Sequence, residues 1–138
     1  MSYLIHIDPA VNCAFCKFWG PHDFSEMDQS TSDLIAHPDY KPGMNILRDF
    51  REQILPEDLS FKSLSEESMK QQQRHDQLLG RCRWAVLCRD GNMYAKVHQF
   101  IVTGRLANHS VERKPFRKLE DALVWLGVPR DYEPVYPE

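Results

Sequence analysis

The sequence lacks a long hydrophobic run. Its apolar stretches extend only a few residues before a charged residue interrupts them, whereas a membrane-spanning helix needs about 20 apolar residues. The N-terminal residues also lack the basic start, the apolar segment and the small-residue cleavage site of a secretion signal. We therefore expect no membrane insertion and a cytoplasmic location.

An excess of charge of one sign is also lacking. The 138 residues include 17 Lys and Arg against 20 Asp and Glu, which gives a formal net charge of -3. A chain this close to balance has no electrostatic footprint for nucleic acid, and we predict no DNA or RNA partner. One local cluster of basic residues is interpreted as a solvated face; it consists of Arg105, Arg113, Lys114, Arg117 and Lys118.

Sequence signatures of catalysis are missing as well. The chain contains no dinucleotide-binding fingerprint, no phosphate-binding loop and no serine-nucleophile elbow. Its six histidines are scattered, without the paired spacing of a metal-dependent hydrolase. We therefore predict a protein that is not an enzyme, with no catalytic residues and no cofactor.

The four cysteines do not form a recognisable redox or metal motif. Cys13 and Cys16 have C-x-x-C spacing, but they lie in a predicted strand, where residues three apart point to opposite faces. Cys82 and Cys88 stand six residues apart in another predicted strand. We interpret all four as reduced thiols in a reducing compartment, and we predict no metal site.

Short alternating strands and helices are what the chain does contain. Hydrophobic residues make up 42% of the sequence, enough for one domain with a single core. Alternating and helical spacings predict the order ββαβαβαβα, which implies an α/β fold with a mostly parallel sheet of four to five strands and an N-terminal β-hairpin. We predict a single domain over residues 1–128 and an extended tail, rich in Pro and Tyr, over 129–138.

Three segments make this prediction specific. The stretch 12–19 is apolar on both parities, which is typical of an interior strand with both faces covered. Ser25 and the acidic residue that follows three positions later have the spacing of a capping box and predict a helix start. Helices over 93–106 and 117–126 are predicted to cover the sheet.

This element order, together with the closing segment FRKLEDALVWLG at 116–127, resembles bacterial STAS-like domains of the anti-anti-sigma-factor fold. The resemblance covers most of the chain as architecture and about a dozen residues as motif. It implies a small regulatory or protein-interaction module. The phosphorylatable segment Asp-Ser-(Ser/Thr)-Gly of the signalling branch would fall between Asp49 and Glu66 and is absent, so no serine is assigned that role.

Topology suggests a first candidate site. Ligands of open α/β sheets bind beyond the carboxyl ends of parallel strands, and these ends hold Asp49, Arg51 and Asp90. Helix N-termini predicted at Ser63 and Asp90 would favour an anion there. The alternative is that Asp90 caps its helix and that Asp49 pairs with Arg51 or Arg48.

The aromatic side chains of the predicted hairpin form a second candidate. Tyr3, Phe15, Phe18 and Trp19 offer more apolar surface than one face of a small sheet needs. Either they pack in the core, or part of them faces outward as a surface for a protein partner or for a homodimer. We therefore expect a non-enzymatic regulatory or protein-interaction module. The alternative is a small-molecule or anion-binding protein, or an enzyme of unreadable class, that uses the first candidate site.

Overall fold

The protein is described by a computed structural model that covers residues 2–55, 61–104 and 110–137. Within these residues the predicted order of strands and helices is confirmed. The strands are β1 (Ser2–Asp8), β2 (Cys13–Pro21), β3 (Asn45–Ile54), β4 (Cys82–Leu87) and β5 (Val111–Phe116). The helices are α1 (Phe24–Ala36), α2 (Phe61–Leu79), α3 (Gly91–Gly104) and α4 (Leu119–Trp125), and a 3-10 turn, Pro9–Val11, joins β1 to β2.

The strands form one sheet in the order β1-β2-β3-β4-β5. β1 pairs with β2 in antiparallel fashion, and the remaining pairs are parallel. β2 is an interior strand, as its apolar pattern predicts: Cys13, Ala14, Phe15 and Cys16 have no exposed surface. The α/β fold with an N-terminal hairpin is therefore confirmed.

Buried side chains form two hydrophobic clusters, one on each face of the sheet, because successive strand residues point to opposite sides. Helices α1, α2 and α3 cover one face, which we call the α1–α3 face; its strand residues include Cys16, Phe18, Ile46, Phe50 and Trp84. Helix α4 and the C-terminal tail cover the other, which we call the α4 face; its strand residues include Cys13, Phe15, Leu47, Ala85 and Leu87.

Helix α1 begins earlier than the capping-box spacing at Ser25 predicts. Asp23 is the N-cap, and its carboxylate accepts hydrogen bonds from the amides of Ser25 (2.8 Å) and Glu26 (3.2 Å). A carboxylate at this position satisfies two free amides and also interacts favourably with the positive end of the helix dipole. The prediction of a cap at Ser25 is therefore wrong by two residues.

The C-terminal tail packs on the sheet. Residues 129–137 contain no helix or strand. The ring of Tyr132 stacks on that of Phe15 with centroids 5.1 Å apart, and its hydroxyl donates to the Asp8 carboxylate at 2.7 Å. These contacts cover the part of the α4 face formed by β1 and β2. A domain boundary at residue 128 stays a prediction.

None of the described helices is long and apolar enough to cross a bilayer.

Candidate functional site

A cavity of about 120 Å³ lies on the α1–α3 face, between the helices and strands β3 and β4. Its accessible surface is mostly apolar, and its apolar lining residues include Phe50, Trp84, Met93, Val97, Phe100 and Ile101. A buried water needs only roughly 10–15 Å³ of such space, and an apolar cavity of roughly 150 Å³ can hold benzene. The cavity is therefore large enough for a small organic molecule.

An irregularity in β3 shapes this cavity. Lys17 pairs with Asp49, but Trp19 pairs with Glu52, so β3 has one residue more than β2 over this stretch. Such a bulge bends the strand and changes the direction of the following side chains. Phe50 and Gln53, which are three residues apart, consequently both line the cavity.

Arg48 is the most unusual residue of the cavity wall. It alternates along β3 with Ile46 and Phe50, so its side chain lies on the α1–α3 face, and only 4% of the residue is exposed. Its Nη2 donates to Ser30 Oγ at 3.2 Å and to Thr31 Oγ1. The buried Nε has no hydrogen-bond partner.

The surroundings of Arg48 do not neutralise its charge. Its guanidinium carbon lies 4.5 Å from the ring centroid of Trp84 and 5.2 Å from that of Phe18. No carboxylate in the described part of the chain forms an ion pair with it. The pKa of Arg48 is lowered to about 10, chiefly by burial and to a smaller extent by the positive charge of Arg113, while Cys16 acts in the opposite direction. Arg48 therefore remains charged at neutral pH, but in an unfavourable environment.

Arg113 is a second cation on the cavity wall; its side chain is 10% exposed, and it does have a counterion. Its two terminal nitrogens donate to the Asp76 carboxylate at 2.8 and 3.1 Å, and its guanidinium carbon lies 4.6 Å from the Trp84 ring centroid. The interpretation of the basic cluster as a solvated face is therefore wrong for Arg113, because strand alternation places it beside α2. The other described members of the cluster are exposed, namely Lys114, Arg117 and Lys118, and Arg105 lies outside the described residues.

The remaining polar groups of the wall add to its positive character. Among the described lining residues, cationic Arg48, Lys96 and Arg113 face a single carboxylate, that of Asp76. The ring nitrogens of His22 are buried without a well-formed hydrogen bond. Burial lowers the pKa of His22, and its contact with Gln53 partly offsets this effect. The cavity is thus apolar with an excess of positive charge.

None of the predicted ligand-binding residues lines this cavity. Asp49 accepts three hydrogen bonds from Arg51, from the backbone amide and Nε at 3.0 Å and from Nη2 at 2.9 Å. Asp90 accepts from the amide of Met93 at 2.9 Å at the start of α3, and this bond lowers the pKa of Asp90. These contacts are those of the alternative interpretation, an ion pair and a helix cap. A ligand-binding role for Asp49, Arg51 and Asp90 stays a prediction.

The predicted aromatic surface is mostly inside the protein. Phe15 and Phe18 have no exposed surface, because β2 is covered on both faces. Tyr3 is half-buried and its hydroxyl donates to the Asp33 carboxylate, while Trp19 is 37% exposed. Trp19 and part of Tyr3 are therefore the accessible members of the set. An interaction role for the hairpin stays a prediction.

The cysteines lack the properties of a reactive site. Cys13 and Cys16 belong to the clusters on opposite faces of the sheet, and all four cysteines are free. Burial raises the pKa of Cys16 to about 11 and that of Cys88 to about 12, so their thiolates do not form at neutral pH. Among the described residues, no group of three or more His, Cys, Asp or Glu could hold a metal ion.

Sequence reasoning missed both Arg48 and the cavity. The local pattern of charges suggests only that Arg48 pairs with Asp49. A signal was present, because Arg48 stands between Ile46 and Phe50 on the same side of a strand, which predicts a position facing the core.

Comparisons with known proteins identify the fold. No protein-family model matches the sequence, and no curated protein matches it significantly. Among solved structures, the chain is similar to an uncharacterised protein of the DUF3478 family, with a SpoIIAA-like fold, from Shewanella loihica PV-4. The TM-score is 0.57 at 19% sequence identity, and the alignment covers 90% of this chain and 93% of the other. The chain therefore has the SpoIIAA-like, or STAS-like, fold that the closing segment predicts.

Proposed function

We propose that this chain is a non-enzymatic module that binds a small, largely apolar molecule between its sheet and helices α1, α2 and α3. The observation that carries the proposal is the cavity of about 120 Å³, whose accessible surface is mostly apolar although half of its described lining residues are polar or charged. Small-molecule sites combine apolar surface with polar groups that orient the ligand. A ligand whose apolar groups fill this space would remove apolar surface from water and so stabilise the folded chain.

The polar groups of the cavity support binding rather than catalysis. Thr31 supplies the hydroxyl of the wall, and this hydroxyl contacts Arg48 and the Met27 carbonyl instead of a base. His75 contacts Asp28 at 2.7 Å, but no described cysteine or serine lines the cavity beside it. A serine, threonine or cysteine nucleophile next to a general base is therefore missing from the described wall.

The predicted protein-interaction role concerns a different part of the surface. Trp19, which is 37% exposed at the end of β2, is the aromatic residue that would serve it. A regulatory role, a homodimer and a cytoplasmic location in a bacterium remain sequence-based predictions. Native mass spectrometry of the full chain would report both a second copy and any bound small molecule.

The proposal can be tested by filling the cavity in two ways, with a small apolar ligand or with a larger side chain from its own wall. We expect benzene to shift the Trp84 indole resonance saturably in a two-dimensional NMR titration and to raise Tm. Val97→Trp should abolish both effects by occupying the space, with Val97→Phe as a smaller second variant. Val124→Trp is the matched control, because Val124 is 60% exposed on α4.

Two results would reject this function. One is an unchanged Trp84 resonance at saturating benzene, and the other is a response that Val97→Trp leaves intact. Circular dichroism of each variant shows whether the fold is retained. The Trp84 resonance is identified by its loss in Trp84→Phe.

A further inference from the structure

Arg48 lines the cavity with a positive charge that has no counterion among the described residues, and its Nε has no hydrogen-bond partner. The residue is 4% exposed, and no described carboxylate pairs with it. Fully buried arginines are rare in proteins unless they are paired. Arg113, on the same cavity wall, differs because it pairs with the Asp76 carboxylate. The fold therefore provides a counterion for one of these two arginines and not for the other.

The contacts of Arg48 offset its burial only in part. Removing a guanidinium from water is strongly unfavourable. The faces of the Trp84 and Phe18 rings and the hydroxyl oxygens of Ser30 and Thr31 carry partial negative charges only. A full negative charge beside the guanidinium would complete the compensation.

Helix α1 supplies the hydrogen-bond acceptors of the guanidinium. The hydroxyls of Ser30 and Thr31 donate to the Met27 carbonyl at 2.6 and 3.4 Å, which fixes them as acceptors for Nη2 of Arg48. The Nε atom is buried without a hydrogen-bond partner. Ser30 and Thr31 are therefore positioning residues, and they hold the guanidinium in the cavity wall without neutralising its charge.

Resting on the proposed function, we propose that the ligand is a small carboxylic acid, bound as a monoanion. Its carboxylate pairs with the guanidinium of Arg48, and its hydrocarbon part fills the apolar side of the cavity. A charge-assisted hydrogen bond between a guanidinium N–H and a carboxylate oxygen is stronger than a hydrogen bond between neutral groups.

Charge balance favours a monoanion over a phosphate. Arg113 is already neutralised by Asp76, and Lys96 is half-exposed and therefore solvated. Arg48 is thus the one buried charge of the described wall that lacks a counterion. A phosphate dianion would bring a second, uncompensated negative charge into a space whose surface is mostly apolar, which is unfavourable.

The test compares acids with their uncharged amides of the same shape. Benzoate and hexanoate are titrated against benzamide and hexanamide at neutral pH and fixed ionic strength, with the Trp84 indole resonance as the readout. For the unaltered chain we expect the acids to bind at least about tenfold more tightly than the amides, a difference of about 1.4 kcal/mol.

Substitutions then locate the preference at one side chain. Arg48→Met should remove the preference for acids while leaving amide binding, and Arg48→Lys should retain only part of it. Arg51→Met is the matched control on the other face, where Arg51 pairs with Asp49, and it should leave the preference unchanged. The titration of the unaltered chain already shows whether acids bind more tightly than amides, even if a variant fails to fold.

Each other outcome overturns a specific statement. Equal binding of acids and amides would reject the carboxylate but leave the proposed function standing. Binding of inorganic phosphate that exceeds that of both acids and depends on Arg48 would replace the carboxylate by a phosphate. If benzene binds but the acids do not, an anionic ligand is rejected. If neither binds, the proposed function fails as well.

Discussion

The two faces of the sheet use alternate residues of the same strands, yet they accommodate polar groups in opposite ways. On the α4 face the polar groups pair with each other, as the buried Asp49 does with the more exposed Arg51 and as Tyr132 does with Asp8. On the α1–α3 face two arginines line the cavity, and the buried Arg48 has no counterion among the described residues. The α4 face is thus packed for stability, whereas the α1–α3 face retains open space and unbalanced charge that we attribute to a ligand.

The first prediction compares one aromatic residue from each face. Phe15→Ala should lower the free energy of unfolding by about 3–5 kcal/mol, because it leaves a void in a fully packed cluster. Phe50→Ala should lower it by less, because Phe50 borders the cavity and has fewer contact atoms on that side. Urea denaturation of both variants measures the difference. Equal losses would contradict the distinction between a packed face and an open one.

The second prediction compares two ion pairs. Asp76→Asn should destabilise the chain by about 3–5 kcal/mol, because it leaves the buried charge of Arg113 without its carboxylate. Asp49→Asn should cost less, about 2 kcal/mol, because Asp49 is buried and accepts three hydrogen bonds from Arg51, but water still reaches Arg51, whose side chain is 45% exposed. Both values come from denaturant unfolding. If the two substitutions had the same effect, the charges of the α1–α3 face would not be buried as described.

The third prediction concerns the tail on the α4 face. Tyr132→Phe should lower the free energy of unfolding by about 1 kcal/mol, because it removes the hydroxyl that donates to Asp8 and contacts His6 at 2.9 Å while keeping the stacked ring. Thermal unfolding followed by circular dichroism can resolve this change. A neutral substitution would show that the stacking on Phe15 alone holds the tail.

The smallest effect is a dependence on pH at the rim of the cavity. Burial holds the pKa of His22 in the folded chain below its ordinary value of 6.5. As the pH falls through 6.5, His22 therefore takes up a proton in the unfolded chain before it does so in the folded chain. The free energy of unfolding consequently decreases from about pH 6.5 down to the lower pKa of the folded chain. His22→Gln should make the curve of unfolding free energy against pH flatter in this window. An unchanged slope would place His22 in water.

The fold was predictable because its signals are local. The alternation in 2–8, the double-sided apolar pattern of β2 and the amphipathic spacing of α3 depend on neighbours in the sequence, and the closing segment adds its resemblance. Gly127 ends α4 with a positive φ of 75°, as expected for a helix C-terminus.

The site was not predictable because it depends on contacts between distant segments. The cavity forms where a bulge near residues 49–52 turns Gln53 inward and where three helices leave a space above Trp84. The burial of Arg113 depends on Asp76, which is 37 residues away in the sequence. The alternation along β3 predicts that Arg48 lies on the core side of the strand. No local pattern predicts whether a carboxylate lies close to it in the folded chain.

Replacing one charged side chain by an apolar one of similar length tests most directly whether Arg48 serves a ligand rather than the fold. The measurement is the free energy of unfolding of ligand-free Arg48→Met in urea. We predict that it stays within about 1 kcal/mol of the unaltered chain or rises by up to about 4 kcal/mol, because apolar groups often replace buried ions without loss. A fall of about 3 kcal/mol or more would show that the contacts of Arg48 stabilise the fold, and it would contradict the account.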